Sequence, residues 1–246
     1  MRKIKVLIPL TVMLFVLHPT AKSQVLISLL LGDKLNSDKL EFGLDGGANL
    51  LNMTNTPGSK AMVNWNLGFY FDFKMNEKLF IHTGVIVKSK MGTASLEPYS
   101  LNNNELDTLF TGGIVDRKIN YFNVPVLLRY RFVDYVHVEG GIQLGLRYTG
   151  YDIFTQSINN SDLEFRNDVK DNFQRLDAGG VIGIGYKLKK GKGMTLSARY
   201  YYGFVDANKL TNGAQHNTAS YFNVSIPIGK GKAEKKAAEN EPEVPR

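Results

Sequence analysis

The stretch Val63-Asn64-Trp65-Asn66-Leu67-Gly68-Phe69-Tyr70-Phe71-Asp72-Phe73 alternates along its whole length. Its odd positions are Val, Trp, Leu, Phe, Phe and Phe; its even positions are Asn, Asn, Gly, Tyr and Asp. Successive side chains of a β-strand point to opposite faces. The stretch is therefore a strand with one greasy face and one polar face.

Seven segments of this kind, with a weaker eighth, fill the chain after residue 40. Leu40–Leu50 carries Leu40, Phe42, Leu44 and Leu50 on one face and Glu41, Asp45 and Asn49 on the other. In Leu79–Ser89 the apolar face is Leu79, Ile81, Val85 and Val87, against His82, Gly84 and Lys88. Phe122 to Phe132 alternates with Asn123, Pro125, Arg129 and Arg131, and Val136 to Tyr148 with His137, Glu139, Gln143 and Arg147. Leu176 to Tyr186 is set against Arg175, Asp177, Gly179 and Gly183, and Met194 to Phe204 against Ser197 and Arg199. Phe222 to Ile228 closes the series.

A soluble sandwich or lipocalin-like ligand-binding barrel also alternates, with the greasy face inward. Three features favour a membrane. The polar faces mix Gly, Asn and single charges of both signs, as a narrow lumen requires. Aromatic residues gather near segment ends, as in an interfacial girdle. The segments run about 10–13 residues, enough for a tilted crossing of about 9–11. Lipid offers no hydrogen bonds, so such strands must close on themselves. The expected fold is all-β: an eight-stranded antiparallel up-and-down transmembrane β-barrel, whose interior is just filled by side chains.

Residues 1–23 read as a cleavable signal peptide. Arg2, Lys3 and Lys5 precede the apolar run Val6–Leu17, and the small residues Ala21 and Ser23 stand before the cleavage expected ahead of Gln24. The run is too short for a spanning helix, which needs about 20 residues. Removing Arg2, Lys3, Lys5 and Lys22 leaves 26 of the 30 basic residues against 23 acidic ones, so the formal charge falls from +7 to +3. The high pI thus gives little reason to expect nucleic acid as a partner. With no cysteine in the chain, disulfides, a thiolate zinc site and an N-terminal lipid anchor are not expected. Residues 24–39 read as a periplasmic N-terminal segment, 40–229 as the barrel, and 230–246, a Lys/Glu mixture with Pro242 and Pro245, as a disordered periplasmic tail.

The connections alternate between long and short. Asn52–Met62, Lys90–Lys118, Gly150–Asn172 and Ala207–Asn217 are long; Lys74–Lys78, Val133–Asp134 and Leu188–Gly193 are short. Outer-membrane barrels keep short turns in the periplasm and longer loops outside. Both chain ends are therefore expected in the periplasm.

Candidate chemistry is sparse. Parity points Glu41, Asp45, Asp72, Lys88, Arg129, Arg131, Glu139, Arg147, Arg175, Asp177 and Arg199 into the lumen. Carboxylates and guanidiniums crowded there must pair, so a structural charge network is expected, with a narrow solute path as the alternative. His82 and His137 fall inside near the periplasmic ends, the wrong end for chemistry on external lipid. His216 lies in an outer loop near Ser220 but forms no motif with it. Asp152, Asp162, Asp168 and Asp171 make the third long loop acidic without EF-hand spacing. No enzyme activity, catalytic residue, cofactor or metal is expected.

Two pieces, Phe42-Gly43-Leu44-Asp45-Gly46-Gly47-Ala48-Asn49 and Tyr121-Phe122-Asn123-Val124-Pro125-Val126-Leu127-Leu128-Arg129-Tyr130, resemble the PorT-like family of small outer-membrane β-barrel proteins of Bacteroidetes. The mid-strand proline is the more specific of the features. The resemblance covers residues 24–229. It implies an integral outer-membrane protein in a structural or interaction role, its external loops the recognition surface. Outer-membrane lipid and, during biogenesis, the barrel-assembly machinery are the implied partners. A conductance pore, or a secretion-system accessory with a periplasmic protein partner, is the alternative.

Overall fold

The computed structural model of the chain describes residues 36–228 except 38, 159, 160, 192 and 212. The signal peptide, most of the segment 24–39 and the tail 230–246 lie outside the described residues.

Among the described residues nine strands form: β1 (Leu40–Met53), β2 (Met62–Lys74), β3 (Leu79–Leu96), β4 (Ile114–Val133), β5 (Val136–Ile158), β6 (Ser161–Asp168), β7 (Leu176–Lys187), β8 (Thr195–Gly203) and β9 (Asn217–Pro227). A short helix, α1 (Asn104–Leu109), stands between β3 and β4. Eight strands close an antiparallel ring in the order β1-β2-β3-β4-β5-β7-β8-β9, and β9 pairs back to β1 from Gly43↔Pro227 to Met53↔Asn217. β6 stands outside the ring, paired only to the far end of β5.

The faces sort as alternation requires. Val63, Trp65, Leu176 and Ile182 are each 65–69% exposed on the outside, whereas Tyr70, Tyr121, Tyr201 and Tyr221 are buried within. An apolar exterior around a partly polar interior is the reverse of a lipocalin-like barrel. Glycine makes room for the large inward rings. Gly43 lies opposite Tyr70 in the β1–β2 register, and a Cβ there would come 2.5 Å from the Tyr70 ring.

Two of the segments expected to be long loops are partly strand. β3 runs on to Leu96, β4 starts at Ile114, and β5 continues to Ile158 before turning into β6. Above the membrane band these strands have a core of their own. Phe110, Val115 and Phe154 are buried there, with Leu96, Leu101, Leu106 and Phe165 packed against them. A polar composition concealed this, because the pairing is backbone-driven and only one face needs apolar residues.

Alternation also breaks where strands bulge, first in β3. In β3 the register passes from Gly68↔Ile86 to Leu67↔Lys88, leaving Val87 as an extra residue. A bulge of this kind inverts the parity beyond it. Ser89, Met91 and Thr93 therefore turn inward, and Lys88 is exposed on the outer face. Pro125, which has no amide hydrogen, stands in the same region, where the β3–β4 ladder skips from Thr83↔Val126 to Ile86↔Asn123.

Candidate functional site

The lumen has two storeys. The half beside the short turns is ionic, and the half beside the long connections is richer in apolar side chains.

Arg129 and Arg199 organise the ionic storey. Arg129 Nε donates to Glu139 Oε2 at 2.6 Å and Nη1 to Asp72 Oδ2 at 2.6 Å. Arg199 Nε donates to the other oxygen of Glu139, and Nη1 to Asp45 Oδ2 at 3.2 Å. Asp45 also accepts from Asn223 Nδ2 at 3.0 Å and Ser225 Oγ at 2.8 Å. His82 lies between the two halves of this cluster. Its Nδ1 is 2.6 Å from Asp72 Oδ1 and its Nε2 is 3.2 Å from Arg199 Nη2. A carboxylate only accepts and a guanidinium only donates. That pair of neighbours assigns the proton to Nδ1 and leaves Nε2 as the acceptor. Glu41 forms an adjoining cluster, accepting from Lys187 Nζ at 2.8 Å and Tyr70 OH at 3.0 Å. The Tyr70 and His82 rings lie 5.6 Å apart and join the clusters.

The eleven charges expected in the lumen thus divide. Asp45, Asp72, Arg129, Glu139 and Arg199 share one network, and Glu41 sits beside it. Arg147 and Asp177 are buried nearer the outer end and are held by neutral groups: Arg147 Nε donates to the Gln174 carbonyl at 3.1 Å, and Asp177 Oδ2 accepts from Asn217 Nδ2 at 2.8 Å. Three charges do not sit in the packed lumen. Lys88 is turned out by the bulge. Arg131 is half-buried where β4 approaches its turn, stacked over the Phe80 ring at 4.3 Å. Arg175 lies one residue before β7 begins and is exposed, beyond the point where strand pairing orients it. Lys187, the missed partner of Glu41, stands at the end of β7 on the same parity as Asp177, so extending the alternation would have found it.

Above this storey, Leu51, Met53, Met62, Met91 and Ile119 are buried with Tyr121, Tyr201 and Tyr221, and Phe173 and Ala207 from the connecting segments join the same cluster.

Neither storey is built for nucleophilic catalysis. Asp72 and His82 form an acid–imidazole pair, but the second imidazole nitrogen meets Arg199 rather than a hydroxyl. His216 Nδ1 faces the Val205 carbonyl at 3.1 Å. Among the described residues no group of three His, Asp or Glu side chains could hold a metal ion. Of the acidic loop, Asp152 is fully buried and takes both Nε and Nη2 of Arg117, at 2.9 and 2.7 Å.

The outer extension presents a second feature. Asn103 Oδ1 caps α1 by accepting from Glu105 N at 3.0 Å and Leu106 N at 3.2 Å. Asp107 accepts from Ser100 Oγ at 2.6 Å and Leu101 N at 2.7 Å, which holds its carboxyl below the usual range. Tyr99 donates to Asp152 Oδ2 at 3.0 Å; burial, reinforced by that carboxylate, pushes its phenol up to about 12. Tyr99, Leu101, Asp107, Phe110 and Phe154 line an open hollow of about 480 Å³.

Residues 33–208 match the outer membrane protein beta-barrel domain family. Among solved structures, Ail, the attachment invasion locus protein of Yersinia pestis, is 12% identical, with a TM-score of 0.43, over 78% of this chain and 100% of that one. Neisserial surface protein A is 12% identical, with a TM-score of 0.43, over 76% and 97%. OprG from Pseudomonas aeruginosa is 11% identical, with a TM-score of 0.36, over 77% and 93%. Curated proteins gave no match.

Proposed function

The chain belongs to the outer membrane protein beta-barrel domain family, and from that premise we propose that it is a closed outer-membrane barrel whose outer extension is an interaction surface. The observation that carries this reading is the contrast between the two ends. The lumen is filled by an ion-paired storey under an apolar one, whereas the extension has its own buried core and an aromatic hollow open to solvent. A barrel blocked within and built up outside is suited to contact rather than passage.

The lumen charges are read as structural, and the short turns, with both chain ends, as periplasmic. The signal peptide, the charged tail, dependence on the assembly machinery and the PorT-like resemblance belong to the same proposal. The secretion-accessory reading rests on that resemblance alone.

Planar-bilayer recording of the refolded chain is the test. A silent membrane is expected, and discrete charge-selective steps would overturn the closed reading. Orientation is tested separately. The chain has no cysteine, so a single cysteine placed at Thr111 should react with an impermeant maleimide on intact cells, and one at Asn76 should not.

A further inference from the structure

A notch interrupts the barrel wall beside β5. The β5–β7 ladder ends at Leu146↔Leu176, and β6 begins pairing with β5 only at Tyr151↔Asp168. Between these points β5 bulges opposite Asn120 and Tyr121, with Tyr148 as the extra residue. Two bonds hold the edges: Arg147 N donates to the Arg175 carbonyl at 2.8 Å, and Val169 N to the Gly150 carbonyl at 3.1 Å. The edges pack closely: a Cβ at Gly150 would lie 3.2 Å from the Lys170 Cα.

The notch encloses about 460 Å³. Its lower wall is the lipid-facing surface, where Phe122 and Tyr148 stack at 4.6 Å beside Leu146. The remaining wall is made by Arg147, Lys170 and Arg175, with Asp171 as the single carboxylate. Lys170 and Arg175 are exposed. Arg147 is only 7% exposed, and its Nη1 is buried without a hydrogen-bond partner. Arg147 thus adds uncompensated positive charge behind the wall that Lys170 and Arg175 line, and the notch favours an anion.

Height identifies the anion. From Val136 to Leu146 the strand climbs roughly 25 Å along the axis, given about 3.3 Å per residue and a tilt near 40°. That is about the height of the apolar band of such barrels. With the short turns periplasmic, an assumption taken from the orientation proposed above, the notch lies where outer-leaflet acyl chains meet their headgroups.

We propose that this notch binds the phosphate-bearing headgroup of an outer-leaflet glycolipid. The phosphate sits against Lys170 and Arg175, with Arg147 behind them, and an acyl chain lies along Phe122, Leu146 and Tyr148. Arginine and lysine both hold phosphate through charge-assisted hydrogen bonds. The site deals with bound lipid and is independent of what the outer extension contacts.

Native mass spectrometry of the full refolded chain in detergent tests this with three probes: lipid A carrying phosphate, the same lipid A stripped of phosphate, and inorganic phosphate. The chain should retain the phosphorylated lipid at least ten-fold more tightly than the stripped one, and Lys170→Ala/Arg175→Ala should abolish that preference. Arg175→Gln alone, which keeps a long side chain at the strand end, should weaken retention several-fold and keep the heat-resistant barrel form on gels. Equal retention of the two lipids, or an unchanged preference in both variants, would overturn the proposal. Binding of inorganic phosphate as tight as that of the lipid would reassign the notch to free phosphate. These measurements use isolated protein, so their outcome does not depend on the orientation test.

Discussion

Arg129 and Glu139 face each other in register across β4 and β5, and their side chains meet at 2.6 Å inside the lumen. Glu139 also binds Arg199 on β8, two strands along and over Gly183, so one carboxylate neutralises two buried guanidiniums. Removing one partner of a buried ion pair strands the other, at a cost of about 3–5 kcal/mol. Glu139→Ala is expected to destabilise the barrel by at least that amount, because two cations are stranded. Urea unfolding in micelles measures it. A loss under about 1 kcal/mol, the range of a surface pair, would show that the network is not what holds the lumen together.

Lys88 gives the opposite expectation. The β3 bulge sends it outward, paired with the lipid-facing Leu67. A lysine on the outer face near the interface costs about 0–1 kcal/mol, rising toward the bilayer midplane. Lys88→Leu is therefore expected to leave stability unchanged or raise it by about 1 kcal/mol. Had Lys88 been a paired lumen cation, the same change would be strongly destabilising. Comparing unfolding midpoints of the variant and the parent chain decides between these positions.

The ring of strands was legible because a barrel in lipid has one overriding constraint, apolar outside, and alternation expresses it directly. Val63 to Phe73 could be assigned to faces residue by residue. Legibility failed where something other than parity sets direction. A bulge has no strong residue signature, so the exchange of Lys88 for Ser89 on the inward face was hidden. Arg175 lies where pairing has stopped, and parity means nothing there. The outer extension was read as loop because Asn, Asp and Ser are poor strand formers. Its order comes instead from Phe110, Val115 and Phe154, a core assembled from three separate segments. An ion pair such as Arg199 reaching Asp45 across the β8-β9-β1 seam depends on barrel closure, which no local pattern encodes.

Phe154 tests whether the extension is a separate unit. It is 1% exposed and meets Tyr99, Phe110 and Phe165 at centroid distances of 5.0, 5.8 and 6.4 Å. Phe→Ala in a packed core costs about 3–5 kcal/mol. Phe154→Ala is expected to expose the segment between β3 and β4 to chymotrypsin, which can cut at Tyr99 and Phe110, while the barrel keeps its heat-resistant mobility on gels. Loss of both together would mean that the extension and the ring unfold as one.

Asp107 provides the pH dependence of the same region. Hydrogen bonds from Ser100 Oγ, first, and then from the Leu101 amide hold its carboxyl below the usual value. A depressed folded-state pKa contributes order that is present above the unfolded pKa, about 4, and is lost as pH falls through the folded value. The turn from Ser100 to Asp107 should thus be intact at pH 6 and loosen progressively below about pH 4. Hydrogen exchange of the Leu101 amide, corrected for its intrinsic pH dependence, reads this directly: protection should fall on acidification. In Asp107→Asn the amide oxygen can still accept but does not titrate, so protection should be weaker at pH 6 and flat toward acid. An acid-dependent loss of equal size in that variant would assign the transition to another carboxylate.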